Sequence, residues 1–292
     1  ELFNMPQLAP PDGDFDPQAF REMGYQVVDW LTNYLTELEN YPVLSRAHPG
    51  DLKSQLPPSA PDQPESLDAI LNDMSALIVP GLTHWQHPGF MAYFTSSASA
   101  PGILGEMLAA GISVNGMLWR TSPAATELEE HVLDWLRQAL NLPPDFKGII
   151  CDTASISSLL ALAAAREALQ LDVRQQGLAG RSDLPRLRVY TSEQAHSSIA
   201  KGAITLGIGA ENVIGIALDN QFRMDVSVLR EQIETDLAAG YRPFCVAATI
   251  GTTSTTAVDP VPAIAALTCS MAWPKPIRLS LIPINGCLPP LM

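Results

Sequence analysis

The first third of the chain alternates apolar and polar residues with the period of an α-helix. Asp16 is suited to cap a helix that has Pro17 at its first position. Apolar side chains then follow at spacings of three and four, at Phe20, Met23, Val27, Leu31, Tyr34, Leu35 and Leu38. A second amphipathic helix is predicted from Ser66 to Pro80-Gly81, after a proline-rich linker at 56–64. Because the linker separates them, we expect these helices to pack on the main domain or on a second subunit.

After about residue 101 the pattern changes to short apolar runs between amphipathic segments. The runs predict strands at 148–150, 187–191, 212–216 and 244–250, and the segments predict helices at 124–140, 159–170 and 226–239. Strands that alternate with helices indicate an α/β domain with a mostly parallel sheet.

Composition and charge narrow the classes of partner and location. The chain has 292 residues, 47% of them hydrophobic and 16% charged, and a formal net charge of −14. This charge argues against nucleic acid and anionic membranes as partners, since both attract basic surfaces. No apolar run reaches the roughly eighteen residues that span a membrane, and no basic-then-apolar leader begins the chain. With four scattered cysteines in addition, we expect a cytoplasmic protein with reduced thiols.

Small and hydroxyl residues follow three of the predicted strands, where open α/β sheets bind ligands. Thr153-Ala154-Ser155 begins a helix and could bind a phosphate, or could be an ordinary helix cap. Gln194–Ser198 contains His196, which is either a ligand contact or a structural loop histidine. Thr249–Thr253 offers a glycine for close approach and several hydroxyls, or is simply a polar loop.

An aromatic segment precedes the α/β region. His84 and His87 have the spacing of a metal pair, but Pro88 makes the segment a loop and no third ligand is suitably spaced, so we predict no metal site. Trp85, followed by Phe90, Tyr93 and Phe94, indicates an aromatic substrate pocket, a buried aromatic cluster, or both.

The order and spacing of these motifs are more specific than any one of them. The segments PGLTHWQHPGFMAYF, SPAATELE, DTASISSLLALAAAR, SEQAHSSIAKGA and ATIGTTSTTAVDP resemble successive blocks of the pyridoxal-phosphate (PLP) dependent aromatic amino-acid decarboxylases. The resemblance extends over roughly residues 17–268, with every block in register.

This resemblance implies the type I PLP-dependent transferase fold, working as a homodimer whose N-terminal helices pack across the partner. It implies that Ala154, Ser155 and Thr253 contact the cofactor PLP, and that His196 stacks on its ring. It also implies that Trp85, Tyr93, Phe94 and Ser96 lie near an amino-acid substrate. The expected reaction is decarboxylation of an aromatic L-amino acid to the amine and CO₂.

Two elements of the family pattern are missing. Neither the D-A-A-Y-A-G block, with the aspartate that pairs with the ring nitrogen, nor the N-P-H-K-W block, with the Schiff-base lysine, occurs in the sequence. Instead, the tail at 269–292 is rich in proline and has no clear periodicity, and its Lys275 lies between two prolines. Codons chosen for Leu281–Met292 spell N-P-H-K-W-M-F-T-P-L-D when read from the last base of Leu281. We therefore expect an out-of-frame tail.

These considerations predict an N-terminal helical segment at 1–85, a partial PLP-binding large domain at 86–268, an aberrant tail at 269–292, and no C-terminal small domain. Without the lysine, we expect the chain to be inactive as written. Two alternatives stay open, which are a decarboxylase of an acidic amino acid and a non-catalytic fragment that binds PLP or a partner.

Overall fold

The computed structural model describes residues 16–93 and 98–271, which form two units that divide between Ile103 and Leu104. The first unit begins with α1 (Pro17–Thr36). The Asp16 carboxylate accepts hydrogen bonds from the N–H groups of Gln18 and Ala19, at 2.8 and 3.4 Å, so the predicted cap is confirmed.

The second helix of this unit is α2 (Leu67–Asp73), and the Ser66 hydroxyl accepts from the Ala69 N–H at its start. It continues through a π-helical turn (Met74–Ile78) into a 3₁₀ turn that ends at Gly81, as predicted. Two further 3₁₀ turns are Leu38–Asn40 and Lys53–Gln55.

Helix α3 crosses the unit boundary and was not predicted, because its residues are apolar around almost the whole circumference. The helices from here onward are α3 (Ala100–Ile112), α4 (Pro123–Ala139), α5 (Ala154–Glu167), α6 (Val173–Gln176), α7 (Ser198–Thr205), α8 (Val226–Ala238) and α9 (Val261–Ser270). A 3₁₀ turn, Ala210–Asn212, precedes the second strand.

The second unit contains a three-stranded parallel sheet, which confirms the predicted α/β class. Its strands are β1 (Leu187–Ser192), β2 (Val213–Ile216) and β3 (Arg242–Ala247), in the spatial order β2-β1-β3. Val189 of β1 pairs with Val213 on one side and Cys245 on the other. The β1–β3 register shifts between Arg188 and Val189, beside Pro243, which lacks the N–H of a regular ladder.

Helices cover both faces of the sheet. Successive residues of β1 point to opposite sides, so neighbouring residues pack against different helices. Val189 belongs to a core with Leu162 of α5 and Ile199 of α7. The next residue, Tyr190, belongs to a second core with Leu229 of α8 and Ile264 of α9. The loops that carry His196 and Thr253 therefore extend from a sheet that is buried on both sides.

Several boundaries differ from those predicted by one to three residues, and the differences at three places are informative. No strand forms at 148–150, where Ile149 and Ile150 are exposed and the Ile150 N–H donates to the Glu129 carboxylate at 2.8 Å instead of to a ladder. Helix α5 begins at Ala154, five residues before the predicted start, because the Thr153 hydroxyl caps it. Strand β3 ends at Ala247 because the chain turns there into a hairpin.

The described cysteines, Cys151, Cys245 and Cys269, are free thiols, as their spacing predicts. Burial raises the pKa of the Cys245 thiol to about 12, so this thiol is unreactive at neutral pH. Within 16–93 and 98–271, no helix is both long enough and apolar enough to cross a bilayer. Tail residues 272–292 and the predicted contacts Phe94 and Ser96 lie outside the described residues.

Candidate functional site

The adjacent strands β1 and β3 lead into two loops with predicted cofactor contacts at one edge of the sheet. Because the strands are parallel, the loop after β1, which contains His196, and the loop after β3, which contains Thr253, leave from the same end. The Thr191 hydroxyl donates to the Ala247 carbonyl at 3.1 Å and joins the strands just before both loops begin. This edge is where a doubly covered α/β sheet binds ligands.

The N-terminus of α5 presents unpaired backbone donors. The Thr153 hydroxyl accepts from the Ile156 N–H at 3.3 Å, while helix geometry leaves the N–H groups of Ala154 and Ser155 without an intrahelical acceptor. Both residues are exposed. The free N–H groups, the Ser155 hydroxyl and the positive end of the helix dipole together form an arrangement that binds phosphate.

Close packing brings the starts of α5 and α7 together. The buried hydroxyls of Ser158 and Ser198 are 3.1 Å apart, one turn into the first helix and at the first residue of the second. Further along, a Cβ on Gly202 would lie 3.0 Å from Leu162 Cδ1 and 3.5 Å from Leu159 Cα. The absence of a side chain at Gly202 therefore allows the helices to approach, and the segments with Ser155 and His196 become neighbours.

His196 is exposed at this edge with a fixed tautomer. Its Nδ1 accepts a hydrogen bond from the Ser198 N–H at 3.2 Å, so in the neutral ring the proton lies on Nε2. One ring nitrogen is thus used to orient the imidazole, while its faces remain available to a ligand. This arrangement is compatible with the ring-stacking role that the family resemblance implies for His196.

Sequence reasoning did not identify Ser192, the last residue of β1. Its side chain is buried, and its Oγ has no hydrogen-bond partner among the described residues. Buried hydroxyls are normally satisfied, so an orphaned one at the ligand-binding edge is consistent with a ligand or water there. The residue type gave no signal, because a serine at the end of a strand is common.

Predicted substrate contacts lie in the first unit. Trp85 stacks on Phe90 and Tyr93, with ring centroids 4.9 and 5.7 Å apart. Trp85 is 40% exposed and Tyr93 is 76% exposed, so this is an open aromatic surface, and a fully buried cluster is excluded for these rings. Tyr93 also has a positive φ of 56°, which is unusual for a bulky residue.

His84 is fixed in place by two tyrosines of the first unit. Its Nδ1 lies 2.8 Å from the Tyr34 hydroxyl, and its ring stacks on Tyr41 with centroids 5.0 Å apart. The side chain is 1% exposed, and burial, followed by the nearby His87, lowers the pKa of His84. His84 therefore anchors the loop that carries Trp85. Within the described ranges, no group of three or more His, Cys, Asp or Glu could hold a metal.

Comparison with known proteins identifies the family. The family model "Pyridoxal-dependent decarboxylase conserved domain" matches residues 49–273. The chain is 44% identical to phenylacetaldehyde synthase of Arabidopsis thaliana over 85% of its own length and 51% of the relative. It is also 44% identical to tyrosine/DOPA decarboxylase 2 of Papaver somniferum, over 84% of the chain and 47% of the relative.

The solved structures agree with this match. The crystal structure of Catharanthus roseus tryptophan decarboxylase in complex with L-tryptophan superimposes with a TM-score of 0.82 at 38% identity, covering 88% of this chain and 54% of the relative. The chain thus spans about half the length of the relatives that it matches. Pyridoxal phosphate is the cofactor of this family. Three features of the site are compatible with this cofactor: the free N–H groups at the start of α5, the oriented ring of His196, and the buried Ser192 hydroxyl that lacks a partner among the described residues. This chain belongs to the pyridoxal-dependent decarboxylases.

Proposed function

We propose that this chain is the cofactor-binding part of a PLP-dependent decarboxylase that converts an aromatic L-amino acid to its amine and CO₂. The observation that carries the proposal is the convergence of the α5 start, the His196 loop and the Thr253 hairpin at one edge of the sheet. When bound, PLP supplies an electron sink for cleavage of the bond between Cα and the carboxylate.

The chain's own residues bind and orient this group. The N–H groups of Ala154 and Ser155 would hold the phosphate at the positive end of α5, and Thr253 would add a hydroxyl. His196, oriented through Nδ1 by the Ser198 N–H, would cover one face of the ring.

Substrate selection rests on the aromatic surface of the first unit. The stacked rings of Trp85, Phe90 and Tyr93 present a π surface that suits an aromatic side chain. The segment 83–93 contains no lysine or arginine, which an acidic substrate would need as a partner. This favours an aromatic over an acidic substrate, with Phe94 and Ser96 as further proposed contacts.

The second candidate is a non-catalytic chain that binds PLP or a partner. It is favoured by the absence of the N-P-H-K-W block, since PLP enzymes of this family hold the cofactor through that lysine. Borohydride reduction of the chain with PLP, followed by peptide mass spectrometry, tests this. We expect no specific lysine adduct and no decarboxylation, and an adduct at Lys275 would contradict the inactive assignment.

We further propose a cytoplasmic homodimer. Helix α1 buries none of its residues, and its large apolar side chains Tyr25 and Val28 are 66% and 42% exposed. A second copy would cover this face, and leaving it open favours association or poor solubility. Light scattering during size-exclusion chromatography tests this, and a sharp monomer peak with cooperative unfolding would contradict it.

Equilibrium binding of PLP tests the cofactor site. We expect the His196→Ala variant to bind PLP about tenfold more weakly, because it loses a stacked ring. The His48→Ala variant is the control, since that side chain is 86% exposed in the first unit. Equal affinity in both variants would show that His196 is only structural. In a version of the chain that carries the missing lysine and aspartate blocks, the same change should reduce turnover by about 10²-fold or more.

A further inference from the structure

The chain after β3 forms a closed hairpin whose tip carries Thr253. Ile250 and Val258 form an antiparallel bridge, and the Ala257 carbonyl accepts from the N–H groups of Gly251 and Thr252, at 3.0 and 3.1 Å. Gly251 adopts a φ of +83°, which the turn requires. The hairpin is therefore ordered by its own backbone, and it leaves Thr253 exposed at the tip.

One buried carboxylate fastens this hairpin to the rest of the unit. Asp259 Oδ2 accepts from the Thr249 N–H at 2.7 Å, across the base of the hairpin. Its Oδ1 accepts from the Met224 N–H, also at 2.7 Å, in the segment that leads into α8. Asp259 is 2% exposed and Met224 is fully buried, so both bonds are shielded from water.

The setting of this carboxylate indicates a positional role. Among the described residues, no lysine or arginine forms an ion pair with Asp259, and its carboxylate is satisfied by two backbone N–H groups. Burying a carboxylate is costly unless it is fully hydrogen-bonded. An apolar residue could fill the space, but it could not hold two separate N–H groups in fixed positions.

We propose that Asp259 is a positioning residue of the cofactor site, which fixes the Thr249–Asp259 hairpin so that Thr253 meets the cofactor phosphate. This inference rests on the proposed function, because the contact between Thr253 and the phosphate is part of it. It adds a residue that does not itself touch the cofactor and acts through the loop that does.

Comparison of PLP with pyridoxal, which lacks the phosphate, tests this role in the Asp259→Asn variant. Asparagine keeps one acceptor but places an N–H₂ against the second backbone N–H, so one tether is lost. We expect the affinity for PLP to fall about tenfold, the effect of one lost hydrogen bond, while the affinity for pyridoxal stays within about twofold. The Thr253→Val variant should show the same phosphate-selective loss.

The matched control is Asp225→Asn, since Asp225 also accepts two backbone N–H bonds, from Ser227 and Val228, but caps α8 instead of holding the hairpin. We expect both affinities to be unchanged in this control. If the Asp259→Asn protein does not fold, Asp259→Glu, which keeps the charge and displaces the carboxylate, is measured in its place.

Amide hydrogen exchange provides a readout that needs no cofactor. We expect faster exchange at Gly251, Thr252 and Ala257 in Asp259→Asn, with no change in α5 and α7. Unchanged protection of the hairpin, or equal losses for PLP and pyridoxal, would overturn the proposal. If the unsubstituted chain does not prefer PLP to pyridoxal, the phosphate contact of the proposed function is wrong. The exchange data then still show whether Asp259 holds the hairpin.

Discussion

The hydroxyl of Tyr190 donates a hydrogen bond of 2.8 Å to Oδ2 of Asp236, and both side chains are buried between β1 and α8. Burial, followed by the hydrogen bond to Asp236, raises the pKa of Tyr190, so the phenol remains a donor at neutral pH. Arg188 lies close to the other carboxylate oxygen, with its Nε 3.7 Å from Oδ1, and covers the ring of Tyr241 at 3.7 Å. The hydrogen bond between Tyr190 and Asp236 therefore joins the central strand β1 to helix α8.

Removing either partner of this hydrogen bond should destabilise the second unit, and removing the carboxylate should cost more than removing the hydroxyl. We expect Tyr190→Phe to lower the free energy of unfolding by about 1–2 kcal/mol, the typical effect of one buried hydrogen bond. Asp236→Ala should cost about 3–4 kcal/mol, because it leaves the Tyr190 hydroxyl buried without an acceptor and removes the carboxylate that lies 3.7 Å from the Arg188 Nε. Urea denaturation measures both values. Tyr25→Phe, at an exposed position, is the control, and an equal loss in all three would contradict the assignment.

The contact between α5 and α7 should be sensitive to side-chain volume at Gly202. A Gly202→Val side chain would meet Leu162 and the backbone of Leu159, so we expect a loss of about 1–3 kcal/mol in unfolding free energy, together with weaker PLP binding. The control is Gly105→Val in α3, where an added Cβ meets nothing within 4 Å. Loss of stability in the control alone would show that the helix contact tolerates larger residues.

The first unit should lose stability as the solution becomes acidic. The folded pKa of His84 is lowered, so the unfolded chain binds the proton more tightly, and stability is fully present above the unfolded pKa of about 6.5. It falls as the pH drops below that value towards the folded pKa. Denaturation at pH 7.5 and pH 5.5, with Trp fluorescence as the probe, measures the change.

The groups that contact His84 are Tyr34 and Tyr41, with His87 nearby, and burial raises the pKa of Tyr34, so its phenol stays protonated in this range. We therefore expect His84→Gln, which cannot titrate, to reduce the difference between the two pH values. The exposed His48→Gln variant should behave like the unsubstituted chain. A pH dependence that persists in His84→Gln would assign the effect to another group.

The codons of the tail provide a genetic prediction. A shifted codon takes the last base of one triplet and the first two of the next, so the hidden frame reads Lys-Trp only if Ile284 is ATA and Asn285 is AAT. We expect these codons in the genomic DNA, with coding sequence lost upstream that includes the missing aspartate block. Sequencing of the locus and its transcript decides this. With ATC for Ile284, the hidden residue becomes glutamine and the frame-shift interpretation fails.

Local signals predicted much of the fold. Asp16-Pro17 marked the start of α1, and the apolar runs marked all three strands of the sheet, because these features depend on neighbours in sequence. The α3 helix was missed because Gly102, Gly105 and Gly111 interrupt a segment that has little polar contrast. The predicted strand at 148–150 had the right residues, but a strand forms only where another strand pairs with it.

The site was predicted less completely than the fold, for a physical reason. Ala154, Ser155, His196 and Thr253 stand in recognisable blocks, whereas the residues that hold those blocks in place act across long separations. The partner of Tyr190 is 46 residues away, and that of Met224 is 35 away. Nothing in the sequence around Asp236 or Asp259 distinguishes a buried acceptor from a surface carboxylate.

The strand order β2-β1-β3 also determines the order in which the strands can pair while the chain is synthesised on the ribosome. The central strand is made first and has no partner until a later segment arrives. Strand β2 follows β1 after the shorter connection, which ends where Val213 pairs with Val189. Strand β3 follows later, since Ala247 is 56 residues beyond its neighbour Thr191. Since closing a shorter loop costs less entropy, β1 and β2 should associate first, and α7 is already present to cover them. The ligand-binding edge therefore forms last, when β3 and its hairpin pack against β1. A translation product that stalled before β3 would carry a two-stranded sheet in which one side of β1 is unpaired.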